Sequence, residues 1–135
     1  MEIEKPLFRK IQIGSWVIFD VADTLFFTGI VGLLFPLWLT NELGHTDATF
    51  GYTLSISMAL VAFISPLAGS LSDRLGKRKP LLAISVLMGS TPIILLNEWN
   101  LFVILGMFTI GFIGINVGTI FYNALLVEVS TKDNR

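Results

Sequence analysis

With 135 residues, 53% hydrophobic and only 14% charged, and a mean hydropathy of +0.77, the chain is too oily for a soluble domain. A soluble domain carries nearer a quarter charged residues, so the membrane class is the expectation. A net charge of −1 gives no signal for a nucleic-acid partner, and the absence of cysteine excludes disulfides and thiolate metal sites.

Crossing about 30 Å of hydrocarbon takes roughly 20 helical residues. Four apolar runs are predicted to do so: about 13–39, 50–71, 80–96 and 101–129. The first follows a tail that mixes Glu2 and Glu4 with Lys5, Arg9 and Lys10. It is too long for a signal-peptide core and lacks an Ala-x-Ala-like site, so it is read as a retained span. Pro36, Pro66 and Pro92 fall within the runs. Membrane helices tolerate such prolines because neighbours satisfy the freed carbonyl.

Charge then orders the connections. All nine Lys/Arg lie in the N-terminal tail, in the turn between the second and third runs (Arg74, Lys77, Arg78, Lys79), or in the C-terminal tail (Lys132, Arg135). Segment 40–49 and the turn Asn97-Glu98-Trp99-Asn100 have none. Cytoplasmic loops are enriched in Lys/Arg, so both termini and the basic turn are expected in the cytoplasm. Trp16, Trp38 and Trp99 sit near run ends, where interfacial anchors belong. His45, in the outer loop, reads as a solvated polar residue.

Two runs carry chemistry. Asp20 and Asp23, at i and i+3, share one helix face inside the first run. Carboxylates in hydrocarbon are costly and point at protein, partner or water, so they are expected to face a substrate or ion cavity. The bland alternative is capping or pairing with neighbouring helices. In the fourth run Thr109, Asn116 and Asn123 recur every seven residues as one polar stripe. Gly111, Gly114 and Gly118 fall near the opposite side, at a spacing that lets another backbone approach. The stripe is expected to look into the cavity while the glycines pack. Asn116 as a mere interhelical hydrogen-bond donor is the competing reading. In the basic turn, Asp73 follows the second helix and Gly76 permits a sharp reversal.

Gly69-x-Leu71-x-Asp73-Arg74-x-Gly76-Lys77-Arg78 resembles the signature between helices two and three of the major facilitator superfamily. Lys77 stands where Arg is usual and lacks its planar fork, leaving Arg78 or Arg74 to compensate. Ser15-Trp16-x-x-x-Asp20-x-Ala22-Asp23-x-x-Phe26 resembles the first helix of the branch named for fungal vacuolar amino-acid exporters linked to autophagy. Phe19 and Asp23 depart from that branch's Tyr and Asn. Phe121-Tyr122-Asn123-Ala124-Leu125-Leu126-x-Glu128 is similar to the same branch's fourth-helix segment, with Val127 for Pro.

The resemblance implies an all-α membrane protein, the first four transmembrane helices of a major-facilitator N-terminal six-helix half. It implies a secondary transporter working by alternating access around a midplane site, with helices one and four lining the cavity. Asp20, Asp23, Asn116 and Asn123 then fall in the cavity-lining helices. Gly69, Asp73, Arg74, Gly76, Lys77 and Arg78 form the loop motif, and Asp73, Lys77 and Glu128 match the family's cytoplasmic latch. The implied partners are the lipid bilayer, a small solute (an amino acid among the candidates), and either the remaining helices or a homo-oligomer. The implied setting is a prokaryotic inner membrane. The closing Lys132-Asp133-Asn134-Arg135 reads like the start of a loop to a fifth helix, so a partial reading frame is expected. A four-helix dimeric exporter of small-multidrug type and a non-transporting subunit or remnant stand as alternatives. No cofactor, metal or enzyme activity is expected.

Overall fold

The computed structural model describes residues 4–97 and 100–132, with side chains described for 14–97 and 100–125. Trp99 and the side chains of Lys5, Arg9, Lys10, Glu128, Lys132 and Arg135 lie outside the described residues. The chain forms two compact units, Met1–Thr46 and Asp47–Arg135.

The first unit is one helical rod, α1, running over 4–42. It is α-helical over Glu4–Thr24, π-helical over Leu25–Leu34, α-helical over Phe35–Leu37 and π-helical again over Trp38–Glu42. The junction residues keep ordinary right-handed backbone angles, for example φ −60° and ψ −43° at Thr24, so the rod changes winding without a break. Pro36 supplies no N–H, and the Thr40 hydroxyl donates to its carbonyl at 2.9 Å. The rod stops at Gly44, whose φ of +69° is the left-handed geometry that glycine adopts at no steric cost.

The second unit holds three helices: α2 (Asp47–Leu75), α3 (Arg78–Ile94) and α4 (Leu101–Lys132). Asp47 opens α2 in the first turn, where the helix dipole favours an acid. α2 ends at Gly76, with φ +60°, whose N–H bonds the Ser72 carbonyl at 3.1 Å. Asn100 caps α4: its side-chain oxygen accepts from the Phe102 N–H at 3.0 Å, satisfying a first-turn donor.

α4 is the helix on which the other two pack. Its glycine face meets α3 at backbone contact, as the spacing predicts. A Cβ built on Gly114 would lie 2.5 Å from the Gly89 Cα and N, and one on Gly111 would lie 2.7 Å from the Ile93 side chain. At Gly118 the fit is looser, 3.4 Å from Val86. A second face meets α2 through Phe108, edge-on to Phe50 at 6.0 Å, and through Val117 and Phe121, clustered with Ala68 and Ile64. Small residues on one side and aromatics on the other let α4 touch two neighbours at different separations.

Among the described residues, three helical stretches are long and apolar enough to cross a membrane by length and composition: Gly14–Glu42, Asp47–Leu75 and Leu101–Leu125. The third predicted run overlaps α3, which at 17 residues is about 26 Å long, at the short end of what crosses a bilayer.

Candidate functional site

Asp20 and Asp23 lie in the α-helical part of α1, one turn below the start of the π-helical stretch. Asp20 is exposed and Asp23 half-buried. Both fall within the 29-residue apolar stretch Gly14–Glu42.

On α4 the predicted polar stripe divides. Thr109 does not face open space: its hydroxyl is 3.0 Å from the fully buried Ser57 hydroxyl, and the two are hydrogen-bonded across the α2–α4 contact. Ser57 also donates to the Thr53 carbonyl at 2.7 Å. Asn116 is half-buried, and its amide donates to the Phe112 carbonyl of its own helix at 2.8 Å. Asn123 is exposed. The physical reason for the division is packing: a residue directly in line with Asn116 also lies next to the aromatic face that α2 covers. The fully buried Ser57 hydroxyl meets the half-buried Thr109 there.

The basic turn is organised by Arg78, at the first position of α3. One guanidinium nitrogen donates to the Ala124 carbonyl of α4 at 2.8 Å, and the other pairs with Asp73 Oδ1 at 3.1 Å. Lys77 is exposed, as are Arg74, Lys79 and Gly69's neighbour Ser70. The two bonds carry unequal weight. The Asp73 side chain is 72% exposed, so solvent screening leaves its ion pair worth about 0–1 kcal/mol. The partly buried bond to Ala124 has a charged donor and is worth about 1.5–3 kcal/mol. The tie between the start of α3 and the far end of α4 rests mainly on the carbonyl.

Sequence reasoning missed the buried hydroxyls. Thr53, Ser57, Ser72 and Ser85 are all buried, and Ser72 Oγ has no hydrogen-bond partner among the described residues. The available signal was the recurrence of small residues along one side of α2 (Thr53, Ser57, Ala68, Ser72).

The model of the Major Facilitator Superfamily matches residues 22–135, which includes the basic turn and all three helices of the second unit. The chain belongs to the Major Facilitator Superfamily. It is an integral membrane protein. A relative within the superfamily is an uncharacterized MFS-type transporter, YxiO, of Bacillus subtilis (strain 168). The two are 27% identical over 133 residues, covering 90% of this chain and 31% of the relative. The chain therefore spans about a third of that protein's length. No solved structure matches.

Proposed function

We propose that this chain is the opening part of a secondary-active transporter that moves a small solute by alternating access. In this reading α1 and α4 border the solute path, and the basic turn and both termini face the cytoplasm. The observation that carries it is the pair of carboxylates, Asp20 and Asp23, within an apolar stretch long enough to span a membrane. Placing two acids there is too costly for helix cohesion alone, which small residues and packing supply more cheaply. Asp20, Asp23, Asn116 and Asn123 serve as the solute- and ion-facing groups, and Arg78 with Asp73 as the cytoplasmic tie that loosens as the helices move. Amino acids are the candidate solutes, on the likeness of the first and fourth helices to the vacuolar exporter branch. The remaining helices of the transporter complete the path.

The test is uptake or efflux by the full-length gene product in proteoliposomes. Replacing both acids, D20N/D23N, is expected to abolish proton- or ion-driven accumulation. Unchanged accumulation by the double variant, correctly inserted, refutes the role of the two acids.

A further inference from the structure

We propose that the C-terminal end of α2 and the turn after it bind one anionic phospholipid, its phosphate among Arg74, Lys77 and Lys79 and an acyl chain along Phe63, Leu67 and Leu71. The cations of the turn divide by what they do. Arg78 is committed to protein: it donates to the Ala124 carbonyl and takes up Asp73, the only acid of the turn. Arg74, Lys77 and Lys79 are exposed and make no hydrogen bond or ion pair among the described residues. Three like charges thus stand between positions 74 and 79 with no acid left in the turn to balance them. An anion complements such a surface, and anionic lipid is the anion a membrane presents there.

The helix that leads into this charge has the matching apolar surface. Phe63, Leu67, Leu71 and Arg74 follow one another at spacings of four, four and three, so they share one face of α2. The three apolar side chains are 78%, 68% and 47% exposed. Ala68 and Ser72, on the opposite side, are buried, and Ala68 packs against Val117 and Phe121 of α4. The stripe therefore looks away from the helices of its own unit. From Phe63 to Arg74 is about 16 Å along the axis, roughly half of the 30 Å hydrocarbon core and so the depth of one leaflet. An apolar stripe one leaflet deep that ends in cations has the outline of a phospholipid.

A protein helix laid on the same stripe would bury Arg74 and would have to bring an acid to meet it, because a buried unpaired charge is strongly destabilising. A lipid phosphate meets the guanidinium at the interface instead, where the aliphatic stem lies along apolar surface and the head stays in the polar layer. Lys77 and Lys79 close round the same headgroup from the turn and from the first turn of α3. The site requires that α2, apolar over Asp47–Leu75, cross the bilayer. It requires nothing of the solute path and stands apart from the transport reading.

The test is native mass spectrometry of the full-length gene product, titrated in detergent with phosphatidylglycerol or with phosphatidylcholine of the same acyl chains. The first phosphatidylglycerol is expected to bind more tightly than the first phosphatidylcholine, and the preference should shrink as ionic strength rises. A cation near a lipid surface is worth about fivefold in binding, so K79Q should weaken phosphatidylglycerol by that factor and R74Q/K77Q/K79Q should erase the preference. R74K/K77R/K79R keeps the charge and should keep the preference, while L67Q/L71Q should weaken both lipids. Equal affinity for the two lipids, or a preference that survives the triple glutamine variant, overturns the site. Displacement of phosphatidylglycerol by millimolar inorganic phosphate, or binding unchanged in L67Q/L71Q, would leave a bare anion site and overturn the lipid assignment. Should the triple variant lose its helical circular dichroism, K79Q alone decides, and an unchanged affinity there overturns the proposal.

Discussion

Replacing Gly114 by alanine tests whether α3 and α4 truly meet backbone to backbone. The added Cβ would fall 2.5 Å from both the Cα and the N of Gly89, and 3.0 Å from the Ser85 carbonyl oxygen. None of these atoms is the end of a flexible side chain, so the two helices must separate. Overpacking of this kind costs about 1–3 kcal/mol, and the rigid partners place this case near the top of that range. Against it stands the helical preference of alanine over glycine, about 1 kcal/mol. The expected net loss is about 2 kcal/mol. Gly106 is the internal control: it lies on the same helix, and a Cβ there meets nothing within 4 Å. Gly106→Ala should therefore be neutral or stabilising by up to about 1 kcal/mol. Unfolding in mixed micelles by titrated SDS, followed by circular dichroism, gives both values on one scale. Equal stability of G114A and G106A would refute the close crossing.

Other substitutions separate the remaining contacts. Arg78→Ala should lower stability by about 2 kcal/mol through loss of the charged bond to the Ala124 carbonyl, whereas Asp73→Asn should cost under about 1 kcal/mol because its ion pair is screened; the same SDS titration ranks them, and a larger effect at Asp73 would reverse the assignment of the tie. A double-mutant cycle on Ser57→Ala and Thr109→Val should give a coupling of about 0.6 kcal/mol, the usual worth of an interhelical hydrogen bond in a membrane protein; zero coupling would remove the bond between α2 and α4. Asn100→Ala should cost about 1 kcal/mol as a lost N-cap, with Asn100→Ser restoring most of it, read as thermal loss of helical signal in detergent.

Much of the architecture is legible from residue type alone. Apolar runs set where α1, α2 and α4 lie, because length and hydropathy decide what can cross a bilayer. The glycine register on α4 foretells its contact with α3, because only residues without a Cβ permit that approach. Gly76 marks its own turn through its positive φ. What stays hidden depends on backbone register and on side-chain reach. The π winding of α1 is invisible in an apolar stretch where most positions are bulky, because composition does not say which carbonyl each N–H chooses. Thr109 belongs by periodicity with Asn116 and Asn123, yet the neighbouring Ser57 captures it. Lys77 and Arg78 look interchangeable in the turn, but only the residue at the first position of α3 is aimed at α4.

The shortness of α3 also reaches into the surrounding lipid. Its 17 residues stand beside α2, which has 29, so the hydrocarbon next to α3 must thin by a few ångströms or admit headgroups at its ends. Lys79 near its start, exposed and with a long aliphatic stem, is suited to draw phosphates down to that level. The protein should consequently prefer bilayers built from shorter acyl chains, and its neighbours in the membrane will be selected partly by thickness.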